Sequence, residues 1–292
     1  MRSSDSNSRR QACTDRRAGG AWQIGQNAIV HTEYPLVTEW LGAARHIMVL
    51  TGAGISTESG IPDFRGPQGV WTKNPAAEKT ATLQYYVSDQ EVRRQAWRNR
   101  VEGGGYWTAE PNAGHRALAE LERKAALDLL VTQNVDGLHH AAGSSAAKVI
   151  EIHGNVREVK CLSCSWRAPM HVALDRVRAG EDDPDCPECG GILKSATVSF
   201  GENLVPADLA RAHAAASRAD LFLAVGTSLA VYPAARLPEY ALANGARLVV
   251  MNAEPTPFDE AAAVVVRERL GTVLPAIVEA LPDPSRLGIS DP

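Results

Sequence analysis

Four of the five cysteines in the chain form two Cys-x-x-Cys pairs, Cys161/Cys164 and Cys186/Cys189. Two such pairs at this separation are typical of one tetrahedral Zn²⁺ bound by four thiolates. Because four protein ligands fill the coordination shell and leave no open position, the zinc would be structural. It would stabilise an insert that is too small to fold around a core of its own. The fifth cysteine, Cys13, stands alone.

A glycine-rich stretch at residues 51–56, Thr-Gly-Ala-Gly-Ile-Ser, follows the apolar run 47–50. Glycines at a strand end let the backbone approach a pyrophosphate, and a helix start supplies free N–H groups. The pattern departs from the dinucleotide-binding fingerprint because Thr57 stands where the third glycine would be. A dehydrogenase would also carry a strand-end acid about 20 residues later, and no strand is predicted there. Both departures argue against hydride transfer.

The chain then continues through Asp63, Phe64 and Arg65. A charged pair on either side of a phenylalanine, directly after a phosphate loop, is an unusual choice for a plain surface loop. Phe64 could shield a reactive centre from water, and Arg65 could bind phosphate. We therefore expect these residues in a ligand site.

Polar side chains also follow four later apolar runs. Gln133, Asn134 and Asp136 could bind a carboxamide and a ribose, or they could cap a helix start. His153 could be structural, or it could act near neutral pH as the general base for a ribose hydroxyl. Groups suited to phosphate and ribose complete the set: Gly226, Thr227, Ser228, Asn252 and Glu254.

Continuous apolar runs predict six strands that are buried on both faces, at 47–50, 129–131, 149–152, 221–225, 248–251 and 264–266. Helical patterns lie between them, at 115–124, 206–217, 234–244 and 272–281. The alternation predicts an α/β fold with a doubly wound, Rossmann-like parallel sheet. Ligands bind such sheets beyond the carboxyl ends of the strands, so polar residues after successive strands predict one crevice.

Two stretches interrupt the alternation, 66–111 and 156–196, and we expect them to form a smaller domain from a helical insert and a zinc ribbon. The large domain would then consist of 28–65, 112–155 and 197–292. Residues 1–27 are polar and rich in Gly, Ser and Arg, which is typical of a disordered tail. Binding of an acidic partner by this tail is the alternative.

These motifs together resemble the sirtuin family of NAD-dependent protein-lysine deacylases. The matching stretches occur in the family's order and cover most of the chain between about residues 50 and 255. They are 52–56, 60–65, 133–136, 153–155, the four paired cysteines, 198–202, 226–228 and 252–254.

The resemblance implies that NAD is a co-substrate bound between the two domains, and that each chain holds one structural Zn²⁺. NAD would contact Gly52, Ala53, Gly54, Asp63, Phe64, Arg65, Gln133, Asn134, Asp136, Gly226, Thr227, Ser228, Asn252 and Glu254. His153 would be the catalytic base, with Asn134 as a second catalytic residue. An acyl-lysine peptide would add a strand beside a segment and loop that include Val198, Phe200, Gly201 and Val231. The products would be nicotinamide, free lysine and O-acyl-ADP-ribose.

Composition limits the partners of the chain. The 292 residues are 45% hydrophobic with a formal net charge of −4, so no basic field attracts nucleic acid directly. No apolar run approaches the ~20 residues that span a bilayer, so no membrane partner is expected. Paired thiols without an export signal predict a cytoplasmic location.

Other activities fit the same motifs. A mono-ADP-ribosyl transferase would use the same NAD site, and a non-catalytic NAD sensor or a zinc-ribbon interaction module would need only part of it. Sirtuins that remove acidic acyl groups resemble one another in a Tyr-x-x-Arg of the helical insert, whereas this chain has only Trp97-x-x-Arg100. We therefore expect acetyl or a long apolar acyl group to be preferred over succinyl.

Overall fold

The computed structural model describes residues 33–64, 66–67, 69–103 and 106–283. Its main sheet consists of six parallel strands, β1 (Ile47–Thr51), β2 (Leu127–Thr132), β3 (Val149–Glu151), β7 (Leu221–Val225), β8 (Arg247–Met251) and β9 (Val264–Val266). Their order in the sheet is β3-β2-β1-β7-β8-β9. The six predicted strands and the doubly wound parallel sheet are therefore confirmed.

Both faces of this sheet are covered by apolar side chains, which explains why the strand sequences are continuous apolar runs. Val49 and Leu223 point into one core, and Leu50 and Phe222 point into the other. Burying one such side chain stabilises the fold by about 1.5–3 kcal/mol. Helices α1 (Glu33–Ala43), α5 (Ala113–Lys124) and α10 (Leu270–Glu279) supply the first core, and α8 (Pro206–Arg218) and α9 (Leu237–Ala243) supply the second.

The predicted helix at 234–244 is divided in the structure. A short 3₁₀ turn covers Ala234–Arg236, and α9 begins only at Leu237. Pro238 lacks an N–H group and fits best in the first turn of a helix, where that N–H would have no partner within the helix. A helix that began at Ala234 would have placed Pro238 in its second turn, so the α-helix starts later.

A second, antiparallel sheet is built from β4 (Gly154–Cys161), β5 (Arg167–Pro169) and β6 (Leu193–Thr197), in the order β5-β4-β6. Helix α7 (Met170–Arg178) follows β5. The helical insert contains α2 (Val70–Lys73), a 3₁₀ turn (Pro75–Ala81), α3 (Leu83–Ser88) and α4 (Gln90–Glu102). The short helix α6 (Leu138–Ala141) follows β2. The exact domain boundaries remain a prediction.

The two inserts share one apolar core. Trp97 of α4 packs with Val159 of β4, Met170 of α7 and Leu193 of β6. Within the described part of the helical insert there is no strand, and only a single bridge joins Thr82 to Phe200. None of the described helices has the length and apolar character needed to cross a bilayer.

Candidate active site

A cleft of about 1430 Å³ opens at the carboxyl ends of β1, β2, β7 and β8. It is lined by every described residue for which we predicted NAD or peptide contact. These residues are Gly52, Ala53, Gly54, Asp63, Phe64, Gln133, Asn134, Asp136, His153, Val198, Phe200, Gly201, Gly226, Thr227, Ser228, Val231, Asn252 and Glu254. Arg65 lies outside the described residues. The predicted crevice therefore exists, although the role of each residue in it is still a prediction.

The glycine loops after β1 and β7 touch through their backbones. The N–H of Gly54 donates to the carbonyl of Gly226 at 2.8 Å, and the N–H of Gly52 donates to the carbonyl of Val225 at 3.1 Å. Gly226 has a φ of 60°, and a Cβ there would lie 2.4 Å from the backbone nitrogen of Ile55. Only glycine fits at position 226, where the two loops cross. The backbone of both loops faces the cleft.

Ser56 connects the two polar residues that follow β2. Its hydroxyl accepts a hydrogen bond from Nδ2 of Asn134 at 2.9 Å and donates to Oδ2 of Asp136 at 2.7 Å. The other carboxylate oxygen of Asp136 accepts from the N–H of Leu138 at 2.9 Å. The Asp136 carboxylate is therefore engaged by the protein itself. The bond to Ser56 uses the amide nitrogen of Asn134, and its amide oxygen accepts no hydrogen bond from the residues that the structure describes.

His153 stands between β3 and β4, on the wall of the cleft. Its Nδ1 lies 3.0 Å from the carbonyl oxygen of Gln133. Because a carbonyl only accepts, the neutral ring carries its proton on Nδ1 and keeps Nε2 as the basic nitrogen. Burial lowers the pKa of His153, and the bond to Gln133 opposes that shift only in part. The ring is therefore neutral and able to accept a proton at neutral pH.

The ends of β2 and β7 are joined by side chains. Nε2 of Gln133 donates to Oγ1 of Thr227 at 2.8 Å, and the same hydroxyl oxygen accepts from the N–H of Leu229 at 3.3 Å. The side chain of Thr227 is buried, whereas Ser228 is exposed to the cleft. Of these two hydroxyls, Ser228 is the one available to a ligand.

The loop after β8 is held by an arginine. Nη1 of Arg267 donates to the carbonyls of Asn252 and Glu254 at 2.7 and 3.0 Å, and Nη2 pairs with Asp259. Nδ2 of Asn252 donates to the carbonyl of Glu254 at 2.7 Å, while the side chain of Glu254 is exposed. Among the described residues, the carboxylate of Glu254 has no hydrogen-bond partner and faces the cleft.

The segment on the predicted peptide side of the cleft is hydrogen-bonded to parts of the chain that are distant in sequence. The N–H of Val198 donates to the carbonyl of His153 at 2.7 Å. The N–H of Phe200 donates to the carbonyl of Ala81, and its carbonyl accepts from the N–H of Leu83, both at 2.9 Å. Both backbone groups of Phe200 are thus occupied by the helical insert. The ring of Phe200 stacks with Trp71 at 5.4 Å between centroids.

The four paired cysteines converge at one end of the small sheet. All four Sγ atoms lie within 4.8 Å of one another, with the Cys161–Cys189 and Cys164–Cys186 contacts at 3.5 and 3.7 Å. A tetrahedral site with Zn–S bonds of about 2.3 Å has S···S edges of about 3.8 Å. A disulfide would need about 2.05 Å. The four thiolates fit one zinc ion, as predicted.

Comparison with known proteins identifies the family. The model of the Sir2 family matches residues 52–233, which span the glycine loop, the histidine, the cysteines and the Gly226–Ser228 turn. The chain belongs to the Sir2 family. Its relatives include "NAD-dependent protein deacetylase 2" of Streptomyces coelicolor, which is 53% identical over 80% of this chain and 97% of its own length. "NAD-dependent protein deacetylase 1" of Geobacillus kaustophilus is 44% identical over 84% and 97%.

Solved Sir2 structures have the same fold. A Sir2 structure with a deacetylated p53 peptide and 3'-O-acetyl ADP ribose matches with a TM-score of 0.78 at 36% identity, covering 84% of this chain and 97% of the other. Sir2Tm bound to a propionylated peptide matches with a TM-score of 0.75 at 33% identity, covering 85% and 98%.

Three features of this Sir2-family site were not predicted. Ser56 stood in the glycine motif without an assigned role, although a serine that follows a phosphate loop is a common polar anchor. Tyr106 lines the cleft, and burial, followed by the charge of Asp136, raises its pKa to about 12. His115 and His139 form a buried pair beneath Ser56, with ring centroids 4.9 Å apart. No sequence pattern shows that these two rings meet.

Proposed function

We propose that the protein is an NAD-dependent protein-lysine deacetylase that releases nicotinamide and O-acetyl-ADP-ribose. The observation that carries this proposal is the convergence of His153, Asn134 and the glycine crossing on one cleft. Support comes from a relative with 53% identity that is named a deacetylase, and from matching Sir2 structures that hold p53 or propionylated peptides.

NAD supplies the ribose carbon to which the acyl oxygen binds as nicotinamide leaves. The backbones of Gly52, Gly54 and Gly226 approach the phosphates, together with the exposed hydroxyl of Ser228. Asn134, held through Ser56, presents its amide oxygen at the nicotinamide end. Nε2 of His153 would accept a proton from a ribose hydroxyl, so that this oxygen could bond to the acyl carbon, and water would complete the release of the lysine amine.

The acyl-lysine peptide binds beside segment 198–201 and near Val231. The backbone of Phe200 is bonded to Ala81 and Leu83, and the N–H of Val198 is bonded to His153. We therefore expect pairing at the carbonyl of Val198 and the backbone of Gly201. We propose acetyl or a long apolar acyl group as the preferred substrate. Arg100 does line the cleft, where its Nη2 donates to Ser195 at 3.1 Å, but Trp97 stands where the acidic-acyl pattern has tyrosine. Comparing rates on acetyl-, succinyl- and myristoyl-lysine peptides tests this preference, and faster succinyl removal would contradict it.

We also propose that the protein is cytoplasmic and does not bind nucleic acid directly. Thiolate ligands need a compartment that keeps cysteines reduced, and the net charge of −4 provides no attraction for a polyanion.

The test is incubation with an acetyl-lysine peptide and NAD labelled in its ADP-ribose part. We expect the label in a small product, O-acetyl-ADP-ribose, and the peptide free of its acetyl group. Label on protein, without peptide deacetylation, would favour the transferase. Bound NAD without nicotinamide release would favour a sensor.

A further inference from the structure

Glu202 lies between the peptide-facing segment 198–201 and the small sheet. Its Oε1 pairs with Nζ of Lys160 at 2.5 Å, and its Oε2 pairs with Nζ of Lys194 at 3.1 Å. Its Oε2 also accepts the N–H of Ser199 at 3.0 Å, and its own N–H donates to the carbonyl of Ser199 at 2.9 Å. The carboxylate of Glu202 thus connects β4, β6 and segment 198–201.

The two lysines are opposite each other in the small sheet. Lys160 of β4 is in register with Lys194 of β6, which is only 1% exposed. Burial lowers the pKa of Lys194 to about 8, and the charge of Glu202 opposes the shift. Burial also pushes the pKa of Glu202 upward, but the bonds from Lys160, Ser199 and Lys194 together hold it below its ordinary value. Lys160, Lys194 and Ser199 therefore occupy most of the roughly four acceptor positions of the carboxylate, although Glu202 also lines the cleft.

Segment 198–201 is held at three places. Val198 is bonded to His153 of the large sheet region, and Phe200 is bonded to the helical insert. Both of these connections use backbone groups. The third connection, from Ser199 to the small sheet, depends on the side chain of Glu202. It is therefore the connection that a single substitution can remove.

We propose that Glu202 is a positioning residue that fixes segment 198–201 against the small sheet and thereby sets the affinity for the acyl-lysine peptide, but not for NAD. The inference rests on the proposed function, because the peptide is the substrate of that function. NAD contacts are expected from the loops after β1, β2, β7 and β8, whereas the hydrogen bonds and ion pairs of Glu202 go to Lys160, Lys194 and Ser199.

The experiment compares Glu202→Gln with Glu158→Gln in the full chain. Glutamine keeps the shape of the side chain and an acceptor for Ser199, but it loses both ion pairs. Glu158 is the matched control because it lies on β4, as Lys160 does, and its pair with Arg167 of β5 is about half exposed. We expect Glu202→Gln to raise the KM for an acetyl-lysine peptide roughly tenfold, while kcat and the KM for NAD change less than about twofold.

Lys160→Met is the second variant, and it removes the ion pair between Lys160 and Glu202 by changing the lysine. If the two groups act as one unit, the double variant raises the peptide KM by less than the product of the single effects. An unchanged peptide KM in both single variants would overturn the inference. An equal rise of the KM for the peptide and the KM for NAD would overturn it as well. Zinc content and the thermal midpoint of each variant check that the small sheet is intact.

Binding of a fluorescent acetyl-lysine peptide, followed by anisotropy, separates the inference from the proposed function because it needs no turnover. Weaker peptide binding by Glu202→Gln would support the positioning role even in a wild-type protein that did not deacetylate. Equal binding by wild type and Glu202→Gln, with normal wild-type turnover, would overturn the positioning role alone.

Discussion

His115 and His139 lie beneath the cleft, and neither ring is exposed. Nε2 of His139 is 2.9 Å from Oγ1 of Thr51, and Nε2 of His115 is 3.4 Å from Oγ of Ser56. Because Ser56 already donates its proton to Asp136, the His115 contact requires a proton on Nε2 of that ring. Within the described residues, neither Nδ1 has a hydrogen-bond partner. Both rings are neutral at pH 7, because burial disfavours their charged form.

Protonation of this pair should destabilise the fold in acid. Burial lowers the pKa of His115 from 6.5 to about 4 and that of His139 well below 6.5. Between the pKa values of the folded and unfolded states, the unfolded chain binds protons that the folded chain does not. The contribution of these histidines to the free energy of unfolding is therefore fully present above pH 6.5 and decreases as the pH falls. The fall reaches at most about 1.4 kcal/mol per pH unit for each proton.

Urea unfolding at pH 7, 6 and 5 measures this dependence. We expect His115→Gln to lose stability less steeply than wild type between pH 6.5 and 4, because one of the two protonation sites is gone. His171→Gln, on the exposed face of α7, is the control and should follow wild type. Equal slopes for wild type and His115→Gln would contradict a neutral His115.

At the scale of elements, the crossing of two glycine loops builds the floor of the cleft. Gly226 combines a positive φ with a close approach to Ile55, whereas Gly245 has a positive φ but open space, with no atom within 4 Å, where a Cβ would lie. Alanine at either position carries backbone strain, but only alanine at Gly226 forces the two loops apart.

Gly226→Ala should therefore raise the KM for NAD at least roughly tenfold, a change that corresponds to about 1.4 kcal/mol. Gly245→Ala should lower the free energy of unfolding by about 1 kcal/mol and leave both KM values unchanged. Steady-state kinetics and urea unfolding of the two variants give this comparison. A normal KM for NAD in Gly226→Ala would show that the crossing does not shape the NAD site.

We expect the four cysteines to stabilise the small sheet, because its apolar core is smaller than the two cores of the large sheet. We expect a metal assay to find about one zinc per chain. Cys189→Ser should lose the zinc and lower the thermal midpoint, whereas Cys13→Ser should keep both. A metal-free protein with an unchanged midpoint would contradict a structural zinc site.

At the scale of the whole molecule, the large sheet was predictable because both of its faces are apolar and each strand is one continuous run. The polar groups after those strands were predictable for the same reason, since parallel strands bring their carboxyl ends together. The strands of the small sheet were not predicted. In β4, exposed, half-buried and buried residues follow one another without a clear alternation, and the strand ends at Cys161, one of the four clustered cysteines.

Contacts between distant segments escaped prediction. Glu202 stood in a recognised motif, but its partners Lys160 and Lys194 lie on strands whose register only the fold defines. The pairing of His115 with His139 depends in the same way on how α5 packs beside α6. Local sequence patterns predict strands, turns and Cys-x-x-Cys metal sites. They do not report which buried polar groups meet.

The most direct measurement is mass spectrometry of the products formed from NAD and an acetyl-lysine peptide by wild type, His153→Ala and the control His171→Ala. We expect wild type and His171→Ala to form nicotinamide, deacetylated peptide and O-acetyl-ADP-ribose in equal amounts. His153→Ala should remain folded and lose deacetylation by roughly a hundredfold or more, as expected for removal of a general base. Deacetylation by His153→Ala at the wild-type rate, or none by wild type, would contradict NAD-dependent deacetylation with His153 as its base.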